Sequence, residues 1–219
     1  FRVSRDADLD VDDEEAEDLL EAIEAELIRR RFGRAVRLEV RDSIDETVLQ
    51  LLIEEFEVEN HDVYKFNLPL DLTSLFAISS LPVPALRDTP WPAVTAGRLA
   101  AAGEQDRSIF SVIRERDLLV HHPYESFVTS TQAFIEEAAN DPRVQSIKMT
   151  LYRTSGDSPI AQSLIRAAER GVQVVALIEL KARFDEAVNV TWAKQLERAG
   201  VHVMYGIVGL KTHVKCALV

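Results

Sequence analysis

The chain has 219 residues, 47% of them hydrophobic, and a formal net charge of −12, enough apolar material for one large buried core or two small ones. Its longest strictly apolar run, Val174 to Ile178, is far too short for a membrane-spanning helix of ~20 residues, and a single cysteine, Cys216, excludes an internal disulfide and fits a reducing cytoplasm. Residues 1–60 carry 20 acidic and 8 basic side chains while residues 61–219 carry 17 of each, so the first part is a poor surface for nucleic acid or any other polyanion.

Phe1 to Arg5 reads as a short strand and Asp12 to Phe32 as a long helix, with Leu19, Leu20, Ile23, Leu27 and Ile28 as its apolar stripe. Acids crowd the start of that helix and Arg29-Arg30-Arg31 its end, as the helix dipole favours, and Gly33 stops it. The arginine run is read as a helix-end cap rather than a phosphate site. Val36 to Val40 alternates like a strand. Asp45 to Glu57 is a second amphipathic helix with Val48, Leu51, Leu52 and Phe56 inward, Val63 to Phe66 a strand, and Leu72 to Ile78 a short helix. Four of the eight prolines fall between Pro82 and Pro92, so Ser79 to Gln105 reads as a linker or crossing segment, with regular patterning returning near Ser108.

The rest alternates strand and helix. Phe127 to Ala139 is a helix ended near Asp141-Pro142, and Val144 to Tyr152 a strand. Ser158 is placed to cap a helix that opens on Pro159 and stops at Gly171. Val172 to Leu180 is a buried strand, Asp185 to Ala199 a helix stopped by Gly200, and Val201 to Tyr205 a strand. A Gly206–Gly209 turn leads to a final strand from Leu210 to Val219. Such alternation implies an α/β fold with a mostly parallel sheet and right-handed crossovers.

In an open parallel sheet, residues just past the carboxyl ends of neighbouring strands gather in one crevice. Here they are Arg153, beside a loop and a helix N-terminus that favours anions, and Arg183, in the next strand-to-helix loop. On a continuous last strand, Lys211, His213 and Lys215 would share one face. A neutral imidazole can attack phosphorus, and an adjacent lysine can hold phosphoryl oxygens as a point charge. The blander alternatives are a solvated strand face for His213 and Lys215, a pair with Asp157 for Arg153, and a local ion pair with Asp185 or Glu186 for Arg183. His121-His122-Pro123-Tyr124 reads as a proline turn, His61 and His202 have no context, and Cys216 reads as strand packing. No Cys/His cluster has zinc spacing.

Four segments carry a family resemblance: Leu119-Val120-His121-His122-Pro123-Tyr124-Glu125-Ser126-Phe127, Ile147-Lys148-Met149-Thr150-Leu151-Tyr152-Arg153-Thr154-Ser155, Glu179-Leu180-Lys181-Ala182-Arg183-Phe184-Asp185-Glu186, and Gly206-Ile207-Val208-Gly209-Leu210-Lys211-Thr212-His213-Val214-Lys215. Together they resemble bacterial polyphosphate kinases of the histidine-phosphorylating type, with Phe1-Arg2-Val3 and Arg31-Phe32-Gly33 resembling the latter part of that family's middle (head) domain. The resemblance implies residues 1–80 as the end of the head domain, 81–107 as a linker, and 108–219 as most of the first C-terminal catalytic domain, of phospholipase-D-like α/β fold. It implies reversible transfer of the terminal phosphate of ATP to inorganic polyphosphate. His213 would be the phosphohistidine nucleophile, Lys215 its phosphate-holding partner, and Arg153 and Arg183 part of the magnesium–phosphate site. An arginine cannot coordinate a cation, so these two would contact Mg²⁺-bound phosphate oxygens. The partners implied are ATP or ADP and polyphosphate, not nucleic acid, in a homo-oligomeric parent that is cytoplasmic or peripheral at the inner membrane. Opening on Phe1 with neither methionine nor a basic-then-apolar leader, the chain reads as part of a longer protein without a visible secretory signal. It is expected to be inactive alone, because the fold builds its site from two halves. The rival readings are another phospholipase-D-like phosphodiesterase or nuclease, and a non-enzymatic polyanion-binding module.

Overall fold

Ala35 to Arg41 form a strand whose Leu38 and Val40, two residues apart on one face, are fully buried, while the strand ends exposed at Arg41. The computed structural model describes residues 1–8, 19–30, 32–154, 156–206 and 210–219, which fall into two compact units, one drawn from residues 1–11 and 22–89 and the other from residues 12–21 and 90–219. In the first, β1 (Arg2–Arg5) pairs antiparallel with β2 (Ala35–Arg41), and β2 pairs parallel with β3 (Val63–Phe66), in the order β1-β2-β3. Between β2 and β3 runs α2 (Glu46–Phe56), and before β2 lies α1, described over Leu19–Arg30. The expected helix start at residues 12–18, and Arg31, lie outside the described residues.

Local chemistry fixes the ends of these helices. Asp45 caps α2, its carboxylate accepting from the backbone N–H of Thr47 (2.9 Å) and Val48 (3.2 Å), a contact worth ~1 kcal/mol. Gly33 ends the α1 region because a Cβ there would sit 2.6 Å from the carbonyl oxygen of Asp6. Arg30 donates to the carbonyl of Ala7, 23 residues away (2.7 Å from Nε), and Arg29 lies 3.4 Å from Glu26 one turn back, so both described arginines of the run have partners within the protein. The inward face of α2 differs from the sequence expectation. Leu49, Leu52, Ile53 and Phe56 pack on Leu38 and Val40, whereas Val48 and Leu51 are exposed. The two apolar stripes are offset by about one residue in the sequence, and only the tertiary partner selects between them.

The short helix expected at Leu72 to Ile78 is present, as a single turn after Asp71 that leads into α3 (Leu75–Ser79). The expected linker contains structure too, Pro84–Leu86 making a short turn. Gly97–Gly103 forms α4, which packs with α5 (Ile109–Glu115) around Ala96, Leu99, Ala102, Ile109 and Val112. Arg98 ends α5 by donating to the carbonyls of Val112 (2.6 Å), Arg116 (3.2 Å) and Asp117 (2.9 Å), groups that a helix terminus leaves without intrahelical partners. The breaker-rich composition masked α4, whose seven residues are mostly alanine and glycine.

Past α5, a one-turn π-helix (Val128–Gln132) runs into α6 (Ala133–Asn140), and then strand and helix alternate: β4 (Ser146–Leu151), α7 (Pro159–Glu169), β5 (Gln173–Ile178), α8 (Glu186–Arg198) and β6 (His202–Met204). The sheet order is β6-β5-β4-β7, with β4, β5 and β6 parallel and a two-residue β7 (Ala217–Leu218) antiparallel to β4. This is the α/β class with a mostly parallel sheet. Ile147, Ile178, Leu164 and Leu196 are essentially inaccessible, each side chain stabilising by ~1.5–3 kcal/mol. Ser158 caps α7 through the N–H of Ala161 (3.3 Å), with Pro159 at its first position, and Gly171 and Gly200 follow α7 and α8 at φ +87° and +86°, where side chains are strained. Among the described residues no helix is long and apolar enough to cross a membrane.

Candidate functional site

Because β4 and β5 run parallel with Leu151 opposite Ile178, the loops leaving them start side by side. The N–H of Glu179 donates to the carbonyl of Leu151 (2.9 Å). On the other side of β4, β7 runs the opposite way, with Met149 opposite Ala217. An antiparallel strand enters a sheet where its parallel neighbours leave it, so the segment preceding β7 reaches the same edge. Residues 207–209 lie outside the described residues; from Leu210 the chain runs along the carboxyl ends of β5 and β4.

The expected continuous strand from Leu210 to Val219 is not present: only Ala217–Leu218 pair as strand. The Thr150 N–H still donates to the Cys216 carbonyl (3.0 Å) as in a ladder, but ahead of that bond side chains supply the hydrogen bonding. The Thr212 N–H donates to Glu179 (2.7 Å), the Thr150 hydroxyl donates to the carbonyl of Val214 (2.7 Å), and the Cys216 N–H donates to the Thr150 hydroxyl (3.0 Å). Cys216 is exposed rather than packed within a strand.

His213 and Lys215 nevertheless point to one place, the ring of Tyr152. The His213 imidazole meets that ring edge-on at 5.0 Å and 88°. The Lys215 ammonium lies 4.3 Å from its centroid and donates to the His213 carbonyl (2.6 Å). Lys211 lies 5.6 Å from the same centroid and donates to the carbonyl of Lys181 (3.4 Å). Each such exposed cation–ring contact is worth ~0.5–1 kcal/mol, enough to bias long side chains toward one orientation. Tyr152 was missed as an organiser in the sequence; the available signal was an aromatic residue between the strand end and Arg153.

Arg153 extends the cluster. Its Nε lies 3.1 Å from the Asp185 carboxylate and its Nη2 donates to the carbonyl of Arg183 (3.3 Å). The alternative pairing with Asp157 is not adopted, as Asp157 accepts from Gln162 (2.6 Å), turning it toward α7. Arg183 joins the group through its backbone carbonyl, while its guanidinium lies 5.9 Å from the Phe184 ring. Thus His213, Lys215 and Arg153 gather around Tyr152, with Arg183 in the adjoining loop. Beside them is a cavity of about 320 Å³ lined by Phe127, Thr131, Tyr152, Arg153, Lys215 and Cys216 among others.

Of the other histidines, His122 borders this cavity, its ring 5.4 Å from that of Phe127 and its Nε2 3.5 Å from the Thr131 hydroxyl. His121 and His122 lie in a turn with a cis His122–Pro123 bond, held by Glu125, whose carboxylate accepts from the His121 N–H (2.8 Å). His61 pairs with Glu59 (3.3 Å) and Asp62 (3.4 Å), and His202 is exposed on β6. No group of three or more His, Cys, Asp or Glu able to hold a metal occurs among the described residues. The donors at the crevice are cationic and therefore suit phosphate oxygens rather than a bare cation.

An α/β protein with cations, an imidazole and an aromatic platform at the carboxyl edge of its sheet presents donors of the type that suit phosphoryl oxygens. Residues 108–219 match polyphosphate kinase C-terminal domain 1, and residues 1–78 match the polyphosphate kinase middle domain; the chain belongs to the polyphosphate kinase family. It is 56% identical over 221 residues to the polyphosphate kinase of Mycolicibacterium gilvum and 58% identical over 219 residues to that of Mycobacterium marinum, covering 100% of this chain and 30% of each relative. It also resembles the crystal structure of polyphosphate kinase from Porphyromonas gingivalis, with a TM-score of 0.63 and 28% identity over 83% of this chain and 27% of that one. The chain thus spans about 30% of the length of the curated relatives it matches.

Proposed function

We propose that this chain is the part of a polyphosphate kinase that carries the phosphate-accepting histidine, with residues 1–80 ending the head domain, 108–219 forming most of a phospholipase-D-like catalytic domain, and 81–107 joining them. The observation that carries the reading is the convergence of His213 and Lys215 on the Tyr152 ring, immediately before Arg153. The unprotonated ring nitrogen of His213 attacks the γ-phosphorus of ATP. The new N–P bond forms as the bond to the bridging oxygen breaks, and ADP leaves with that electron pair. In the second step a terminal oxygen of inorganic polyphosphate attacks the same phosphorus and the N–P bond breaks, lengthening the polymer by one phosphate. The sequence runs equally in reverse.

Lys215 neutralises charge on the transferring oxygens, and Arg153 and Arg183 hold phosphate oxygens in bidentate fashion. Arg153 must exchange Asp185 for phosphate to do so. Mg²⁺, where bound, neutralises phosphate charge and is held chiefly by the phosphates. The parent is read as a homo-oligomer, cytoplasmic or peripheral at the inner membrane.

The test is to incubate the full-length enzyme with γ-labelled ATP. The expected product is an acid-labile, base-stable phosphoenzyme, with His213→Ala abolishing both labelling and polyphosphate synthesis. Labelling that survives in the variant overturns the assignment. A label that appears only with a phosphodiester substrate points instead to a phosphodiesterase.

A further inference from the structure

Two buried polar side chains beneath the crevice have no part in the chemistry above, yet they connect every segment that carries it. Glu179, at the end of β5, and Asn189, on α8, are 6% and 1% exposed. One carboxylate oxygen of Glu179 accepts from the Lys181 N–H (3.1 Å) and the other from the Thr212 N–H (2.7 Å). Asn189 donates from Nδ2 to the carbonyls of Tyr152 (2.7 Å) and Glu179 (2.9 Å), and its Oδ1 accepts from the Thr154 hydroxyl (3.1 Å). Two carbonyl partners on one atom of the amide fix its orientation, since only the NH₂ group can donate twice.

From these contacts we propose that Glu179 and Asn189 are positioning residues that set where His213 stands relative to Tyr152 and Arg153. The proposal rests on His213 being the nucleophile. The chain from Thr212 to Lys215 lies ahead of the ladder, which it meets at the Thr150 N–H to Cys216 carbonyl bond (3.0 Å), and the side chains of Glu179 and Thr150 hold it there. The Glu179–Thr212 bond fixes the Lys211–Thr212 peptide, one residue ahead of His213. Asn189 fixes the backbone of Tyr152, whose ring the imidazole and Lys215 lie against, and holds Thr154, the residue after Arg153. Because Asn189 also binds the carbonyl of Glu179, the two anchors move together. Buried polar groups with every partner supplied hold a single geometry, and a displacement of ~1 Å at an attacking atom can lower a rate on the order of a hundredfold.

Isosteric substitutions separate this role from folding. Glu179→Gln keeps the shape but turns one acceptor into a donor facing an N–H. Asn189→Asp sets carboxylate oxygens against the two carbonyls. Thr154→Val is a milder change that leaves Asn189 Oδ1 without its donor. In the full-length enzyme, single-turnover labelling by γ-labelled ATP gives a rate constant and a final stoichiometry. The expected result is a rate constant at saturating ATP lowered on the order of tenfold to a hundredfold, a smaller loss for Thr154→Val, and wild-type final labelling and ATP half-saturation. A merely structural role lowers the stoichiometry and leaves the rate constant of the folded fraction unchanged; that result, in whichever of the three variants folds, overturns the proposal. His213→Ala, run alongside, keeps the two readings apart. If it still labels, the nucleophile assignment is at fault; if it does not and the Glu179, Asn189 and Thr154 variants label at the normal rate, the positioning role alone fails.

Discussion

At the residue scale, Arg153 illustrates how one side chain is both paired and available. Its ion pair with Asp185 is solvent-exposed, with the arginine side chain 60% accessible, and such pairs contribute about 0–1 kcal/mol. A phosphate group offering two oxygens to a guanidinium competes well against it. Arg153→Ala should therefore lower turnover of the full-length enzyme on the order of a thousandfold while changing stability by less than about 1 kcal/mol. Kinetics and a melting curve on the same preparation check both halves, and a variant whose main defect is its melting temperature would mark Arg153 as structural. The sequence made Arg153 and His213 visible because strand ends and the H-x-K spacing are local signals. Tyr152 and Glu179 were not visible, since the first looks like any strand-end aromatic and the second acts through contacts 33 residues away.

At the element scale, Glu137 on α6 holds the start of α5, its two carboxylate oxygens accepting from the Ile109 N–H at 3.2 and 3.0 Å. Burial pushes its carboxyl up, the Ile109 N–H draws it down by less, and the charge of Asp141 adds to the rise. Asp141 itself is held down to about 2, by hydrogen bonds from the Arg143 side chain and backbone. A carboxyl raised on folding costs stability at pH values above its folded pKa, and that cost fades as pH falls and the folded state takes up the proton first. Glu137→Gln keeps an acceptor for Ile109 without a charge to bury. The variant should be at least as stable as the parent at pH 7, and its advantage should shrink as the pH is lowered through the carboxylate range. Melting curves across that range decide it, and a variant that is less stable at pH 7 would show that the charged bond outweighs the burial. The legible elements were those with strong periodicity and chemical ends, such as α7 between Ser158 and Gly171 and the buried β5. Less legible were α4, hidden by a breaker-rich neighbourhood, and the segment after Leu210, whose alternating pattern survives while its hydrogen bonds go to side chains.

At the scale of the whole molecule, the geometry of the crevice bears on what this chain can do alone. His213 and Lys215 lie on an exposed surface, and Phe127, Val128, Met204 and Leu218 are also exposed, by 45–64%. Phosphoryl transfer to a polymer rather than to water calls for a site from which water is excluded and in which the cations act at low dielectric. One open wall supplies neither condition. With about 30% of the length of its relatives, the 219-residue chain is expected to fold and to make no polyphosphate from ATP. Exposed apolar surface of this kind also favours self-association, so a light-scattering signal that grows with concentration is expected. The assay is ATP-dependent polymer formation by the isolated chain at concentrations where the full-length enzyme is readily measured. Turnover comparable to that enzyme would mean that Tyr152, Arg153, His213 and Lys215 form a sufficient site on an open surface, and the requirement for a closed one would have to be abandoned.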